Sequence, residues 1–472
     1  MRRVSSLISP VLILTLGLVL VPGLVVADDS ILPEYRSLEP LVLPEVQMRR
    51  VLAADEERVL KGRVPHYAHA IETEITPWGD DGQWQPFGEM ARWRLRLQSN
   101  GAQSLNLGFT QFHMPPGGSL TISAADGSSR LGPFTEADND AHGQLWTPPI
   151  LGSDIVLEVI LPLERERFKE LNLELGRVNH GYVGFGDPEP KAGPCHVDVA
   201  CSDDDTWADP ARSVGLVSVE GVRFCSGFLV NNTALDARPF FVTAHHCGID
   251  ETNAASVVVM WNHQRTSCPV PEDSAAKLPE IFDAFQTGAT LRAANRLSDA
   301  VLVELDDPPS PNFNVFFAGW DRSGSLTDGA VVIHHPNTDA KRISFDFDAA
   351  QPTRHLEKER FRGGSHLRVG QWEIGSTEGG SSGAPLFDQN RRVVGQLHGG
   401  YAACGNRGSD WFGRFSVSWN GNGEPNTRFS EWLDPLNSGA VVLDGIDASS
   451  LLSAPIEDPF QDAPPTVRRV KR

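Results

Sequence analysis

Beyond residue 26 the sequence has no run of 18 consecutive apolar residues, so nothing after that point reads as a membrane-spanning helix. It has no C-x-x-C and no H-E-x-x-H, so the common zinc spacings are missing and no metal or other cofactor is expected. Positive charge is in deficit: 41 Lys and Arg stand against 61 Asp and Glu, a formal net charge of −20. A surface of that sign repels phosphate backbones, which speaks against nucleic acid as a partner and favours neutral or basic substrates. Cysteine is absent between Ala27 and Pro194; all six cysteines lie beyond.

What is present suits a globular, exported protein. The chain has 472 residues, enough for about two to four folding units. Its 44 Gly and 34 Pro make turns frequent, which favours many short strands over long helices. Met1-Arg2-Arg3 opens a leader whose apolar run, Leu7 to Val26, is broken by Pro10 and Pro22. Those prolines spoil a spanning helix, and Val25-Val26-Ala27 forms a cleavage site, so removal after Ala27 and no lasting membrane insertion are expected. The destination is extracellular or periplasmic. An even number of cysteines in such a chain implies three disulfides in a unit beginning near Cys195, although spacing alone leaves every pairing open.

The cysteine-free part reads as β-structure. Trp93, Leu95 and Leu97 alternate with arginines; Leu120 and Ile122 alternate with Thr121 and Ser123; Leu171, Leu173 and Leu175 alternate with Asn172 and Glu174. Turn residues such as Pro115-Pro116-Gly117-Gly118 separate them. A half-buried antiparallel sheet packed on a second layer is the simplest architecture. His142 and His180 read as surface or turn residues. From Gly184 to Pro194 proline and glycine recur with no apolar period, which is linker composition, and Lys191 is its single basic residue.

Three motifs in the second half carry chemistry. F-F-V-T-A-H-H-C is an apolar strand ending in His245, His246 and Cys247; L-S-D-A-V-L-V-E-L places Asp299 at the mouth of an alternating strand; E-G-G-S-S-G-A-P-L-F displays Ser382 on a glycine-rich turn. A hydroxyl becomes a useful nucleophile when an imidazole takes its proton, and the imidazole needs a carboxylate to fix its tautomer. The chain order His, Asp, Ser is a known solution to that geometry. Each motif alone is weak; three in order in a disulfide-bearing exported chain are specific.

With C-S-G-F-L-V-N-N-T, T-A-H-H-C-G, A-G-W-D-R, I-H-H-P-N, G-S-S-G-A-P, V-G-Q-L-H-G-G and S-D-W-F-G-R, the stretch from Cys195 to about Gly445 resembles the chymotrypsin-like serine proteases, and among them the bacterial lysyl endopeptidases. S-L-N-L-G-F and A-H-G-Q-L-W-T-P-P in the leading part resemble that family's propeptide. The resemblance implies an all-β double-barrel protease domain at 192–447, behind a signal peptide at 1–27 and a β-rich, sandwich-like propeptide at 28–191. Residues 448–472, Pro-rich and ending V-R-R-V-K-R, read as a flexible tail.

Carried over position by position, His246 is the general base, with His245 a structural neighbour. Asp299 orients the base, Ser382 is the nucleophile, and the N–H groups of Gly380 and Ser382 form the oxyanion hole. The implied disulfides are Cys195–Cys404, Cys201–Cys268 and Cys225–Cys247. The last also has a local logic, since it fastens the strand after Cys225 beside His246. Asp410 matches the aspartate that meets a substrate ammonium, with surface pairing to Arg407 or Arg414 as its rival reading. His398, Gly399 and Gly400 match the pocket wall and substrate-strand positions. The chain departs from the family at Phe361-Arg362, where a tryptophan should precede Gly363-Gly364-Ser365. Phe361 is the substitute the sequence offers for that wall, and Trp372 reads as core. Ser381 stands where many trypsin-like enzymes keep the aspartate that receives a new N-terminus, so activation is expected by relief of blockage.

The resulting expectation is a secreted, monomeric endopeptidase that cleaves polypeptides after Lys. It would be made as a precursor, inhibited or assisted in folding by its own propeptide and released by cutting at Lys191. The alternatives are a broader Lys/Arg enzyme, a glutamyl-type enzyme if His398 dominates the pocket, and an idle homologue that serves as a binding module.

Overall fold

The computed structural model describes residues 31–61, 63–185, 192–202, 205–268, 282–324 and 329–452. The cleavage site at Ala27, the link at Lys191 and the tail beyond 452 lie outside the described residues. The alternating arginine and apolar run falls in the strand Met90–Gln98, with Trp93, Leu95 and Leu97 all buried. Asp154–Pro162 pairs with it antiparallel and passes the sheet on to Ser119–Ala124, where Leu120 and Ile122 are fully buried. A second sheet centres on Asn172–Gly181, flanked by Ala68–Ile75 and Ser104–His113. Leu97 and Leu157 of one sheet meet Leu107, Phe109 and Leu175 of the other in one core. Alternate burial on both sheets makes the two-layer sandwich that the pattern implies.

Of the two histidines read as surface or turn residues, His142 lies in a turn and His180 departs from expectation. His180 is buried in a strand and bonded through Nδ1 to Ser99 Oγ, and His142 bonds Asp306 at 2.9 Å across to the second half of the chain. The alternation also gives no hint of the helix Met48–Leu60, which buries none of its residues. An amphipathic core-facing stripe is what announces a helix in sequence, and this one has none.

From Val197 onward the chain builds two larger sheets. The first runs in the order Phe285–Thr287, Val258–Met260, Val214–Val219, Arg223–Leu229, Phe240–Ala244, Ala300–Leu305 and Ala289–Asn295, every neighbour antiparallel. The second has ten strands, with Pro385–Phe387, Arg392–Gly400 and Asp410–Arg414 adjacent at its middle. Phe228, Val242 and Leu302 from the first pack with Ile333, Phe387 and Val393 from the second in a shared core. This is the double-barrel, chymotrypsin-like arrangement, and the sheet junction is where the chemistry collects.

Three disulfides, Cys195–Cys404, Cys201–Cys268 and Cys225–Cys247, close loops with sequence separations of 209, 67 and 22. Such a bridge stabilises a fold by roughly 2–4 kcal/mol, chiefly through the unfolded chain. Near the C-terminus come a 3-10 turn, Pro425–Thr427, and a single helical turn, Ser430–Leu433. Phe429 and Leu433 are fully buried. Within the segment read as tail, Ala448–Leu452 is helical and Ala448 packs in the first barrel's core.

Candidate active site

Strand pairing brings the first two motifs together. Ala244 is the register partner of Ala300 between antiparallel strands, so the end of Phe240–Ala244 lies beside the start of Ala300–Leu305. His246 follows the one and Asp299 precedes the other. The chain turns after the histidine through Gly248, whose φ of +82° favours glycine. Cys247 ties this turn to the neighbouring strand through Cys225. Asp299 itself adopts φ +55°, a strained left-handed conformation fixed by His245 N–H donating to its carbonyl and by Gln396.

The side chains line up as a relay. Ser382 Oγ lies 2.8 Å from His246 Nε2, and His246 Nδ1 lies 2.7 Å from Asp299 Oδ2. The His246 backbone N–H donates to Asp299 Oδ1 at 3.0 Å, so both carboxylate oxygens are held by one residue. Burial opposes the charge on Asp299, but the His246 and His398 imidazoles and this backbone bond outweigh it, and the carboxyl stays below its ordinary range. Ser381 is a different kind of serine: it is fully buried, and its Oγ is bonded to His334 Nδ1 at 2.7 Å.

Gly380 and Ser382 sit on the turn before Pro385–Phe387. Gly380 has φ +89°, and a Cβ there would fall 2.1 Å from the Phe224 ring, so no other residue fits. Among the described residues, neither the Gly380 nor the Ser382 amide donates to a backbone acceptor, while Ser226 N–H donates to Ser382 O and Ser226 Oγ to Gly380 O. Two N–H groups on a glycine turn thus stand beside a serine paired with an imidazole.

The same cleft continues over His398, Gly399 and Gly400 to Asp410. Asp410 opens the strand Asp410–Arg414 and is 1% exposed. Its Oδ2 accepts from Trp372 Nε1 at 2.8 Å and from Thr377 Oγ1 at 2.6 Å, which leaves Oδ1 free of side-chain donors. Burial raises its carboxyl above the ordinary value. Gly399, at φ +140°, faces open space, whereas a Cβ on Gly400 would meet Asp410 Oδ1 at 2.4 Å.

Phe361 is not among the residues lining the cleft. It is 44% exposed and lies under the Arg354 guanidinium at 4.6 Å. The place against His398 is taken by His355, whose ring stacks on it with centroids 3.6 Å apart and planes 9° from parallel. His398 in turn lies over His246 at 5.4 Å, and its Nδ1 is 2.9 Å from His366 Nε2. Burial pushes His398 down to about 4 and His366 to about 3, and lowers His355 as well. Near neutral pH these three rings therefore add surface without adding charge. No local pattern in the sequence announces His355, Thr377 or the pocket role of Trp372; each reaches the site through tertiary packing.

His246, Asp299 and His398 bring potential metal-ligand atoms within 4.8 Å of one another. His246 Nδ1 and Asp299 Oδ2 already face each other in a 2.7 Å bond, and that hydrogen bond accounts for their proximity. The N-terminal region also reaches the cleft: Val59, Arg63, Val64 and Pro65 line it with His246 and Ser382. Val64 is buried against the Cys225–Cys247 bridge.

Comparison with known proteins shows what this region is similar to. Residues 190–413 match the family described as lysyl endopeptidase, C-terminal domain. That is the family the sequence resembles. A lysyl endopeptidase of Pseudomonas aeruginosa is 28% identical over 301 residues, covering 59% of this chain and 62% of that protein. The chain thus spans about three fifths of the length of this lysyl endopeptidase relative. Solved structures are more distant. A serine endoprotease from Yersinia pestis aligns over 47% of this chain and 65% of its own at 14% identity and a TM-score of 0.31. The active form of the Rv3671c protease from M. tuberculosis aligns over 48% and 88% at 17% identity and 0.27. Likenesses at those scores carry no argument.

Proposed function

We propose that the chain is the precursor of an exported serine endopeptidase that hydrolyses peptide bonds on the carboxyl side of Lys. The observation that carries this reading is the Ser382–His246–Asp299 relay standing over a buried, unpaired Asp410 in one cleft. In the reaction His246 Nε2 accepts the Ser382 proton while Oγ attacks the scissile carbonyl. The Gly380 and Ser382 amides receive the oxyanion, and the imidazolium, steadied by Asp299, protonates the leaving amine. Water then repeats the sequence on the acyl-enzyme. A lysine ammonium reaching the cleft floor would neutralise Asp410, which otherwise pays a desolvation cost without a cation. The neutral His398 argues against a glutamyl-type pocket, which needs positive charge to bind a carboxylate.

Secretion and self-processing belong to the same proposal. Disulfides suit an oxidising compartment, and among the described residues no helix is long and apolar enough to cross a membrane. Val59 to Pro65 at the cleft support a blocking role for the N-terminal region. Ser382→Ala is expected to abolish labelling by a serine-directed phosphonate, whereas Ser381→Ala keeps it; labelling of the Ser382 variant would move the nucleophile elsewhere. The Ser382→Ala precursor should retain residues 28–191 and be cut after Lys191 only when active enzyme is added. Trimming at Lys191 without an active copy would assign processing to another protease.

His355 offers a test of the wall. An aromatic pair contributes about 0.5–1.5 kcal/mol beyond its buried area, so His355→Ala should lower kcat/KM on Lys reporter peptides by about two- to tenfold. Because an imidazole replaces the family's indole, measurable cleavage after Arg is also expected. Unchanged kinetics in the variant would make the stack a bystander.

A further inference from the structure

The segment just after the processing link is already seated in the protease domain. Ala192 N–H donates to Asp339 Oδ2 at 3.1 Å, and Gly193 N–H donates to Glu378 Oε2 at 3.3 Å. Ala192 is 5% exposed and Asp339 3%. A Cβ on Gly193 would lie 2.5 Å from Cys404 Sγ and 2.8 Å from Glu378 Oε1, so the segment is wedged between the Cys195–Cys404 bridge and the nucleophile turn. Asp339 also accepts from Arg342 at 2.7 Å and from the Ala340 amide.

This carboxylate belongs to a strained loop that abuts the oxyanion cradle. Asn337 and Thr338 have φ of +50° and +60°, and Thr338 is both β-branched and buried. Asn337 N–H donates to Gly379 O at 2.7 Å, and its side-chain amide donates to Glu378 Oε2 at 2.7 Å. His335 O lies 3.0 Å from where a Cβ of Gly380 would be. Around this junction Asp198 meets the Arg265 and Arg342 guanidiniums, and Asp339 meets Arg342. His196 Nε2 stands 3.4 Å from Glu378, and the buried Lys341 amine is directed to Ala211 O.

We infer that the α-ammonium created by cutting Lys191–Ala192 binds Asp339 and Glu378 and thereby fixes the Gly379–Ser382 turn, which makes Asp339 a positioning residue. The inference rests on the proposed cut at Lys191. In that hydrolysis water adds across the amide: Lys191 leaves as a carboxylate, and the Ala192 nitrogen, formerly a neutral N–H donor, becomes an ammonium. Charge-assisted hydrogen bonds are about twice as strong as neutral ones, and a buried ammonium needs an anion to persist. Ser381 removes the usual partner for a new N-terminus; Asp339 supplies another from a different loop.

The test replaces the link by the site of a second protease whose cut leaves either Ala192 or one extra glycine before it. The readout is the rate of phosphonate labelling at Ser382, which depends neither on Lys preference nor on self-cleavage. The authentic terminus should label at least about tenfold faster, since misplacing an oxyanion donor costs up to about 10²–10³. In Asp339→Asn the two forms should label alike, whereas Asp339→Glu should keep the difference; a merely structural Asp339 would lower both forms and preserve their ratio. Equal rates in the unsubstituted protein would overturn the inference and leave the endopeptidase reading standing. Absence of labelling in either form would overturn both.

Discussion

Asp299→Asn should lower turnover by about 10⁴ while leaving the protein folded. The size of the effect follows from which atoms Asp299 already holds. The His246 backbone N–H donates to Oδ1, so an asparagine carbonyl must occupy that position. Its NH₂ then lies where Oδ2 now accepts from His246 Nδ1. A donor facing Nδ1 turns it into an acceptor and forces the ring proton onto Nε2, the atom that must take the proton of Ser382. The wrong tautomer is therefore built in by the backbone. Folding should survive, because asparagine tolerates the φ of +55° at this position and matches the aspartate in shape. Turnover within a few fold of the parent, measured on the mature form with a reporter peptide, would remove Asp299 from the relay.

The relay was legible in sequence because His246 follows an apolar strand, Asp299 opens an alternating one and Ser382 stands on a glycine-rich turn that re-enters a strand, and strand ends in a two-barrel protein meet at the junction. The alternation around Trp93, Leu120 and Leu175 was legible for the same reason: burial on one face of a sheet imposes it. What escaped has a common physical cause. Trp372 has the composition of a core residue and is buried like one, yet its indole N–H is committed to Asp410. His355 stacks on His398 from a different part of the chain, and no spacing rule links the two. His180 resembled a turn residue because its buried partner, Ser99, is remote in sequence. Polar contacts between distant segments leave no period for a sequence pattern to display.

Asp410→Asn should reduce kcat/KM on Lys reporter peptides by about 10²–10³, the range expected when one member of a buried charge pair is lost. The surface reading of Asp410 fails on geometry, since it is 1% exposed and Arg414 donates instead to the Arg362 and Gly364 carbonyls. Trp372 Nε1–H and Thr377 O–H both point at Oδ2, so an asparagine will place its carbonyl there and direct its NH₂ to the Oδ1 position. The variant thus presents a donor to the incoming ammonium where the parent presents an anion. Stability should move the other way. Burial raises the folded carboxyl above its ordinary value, so the unfolded chain gives up this proton more easily than the native one. The parent therefore loses stability as pH rises through and beyond the ordinary carboxylate range, and the asparagine variant does not. Measured by melting temperature, the variant should gain on the parent as pH rises from acid to neutral, even as Lys cleavage collapses. An unchanged Lys preference would return the pocket to other residues. A melting temperature that falls further behind the parent with rising pH would mean that the carboxylate is stabilised as an anion by the fold itself, with no need of a substrate cation.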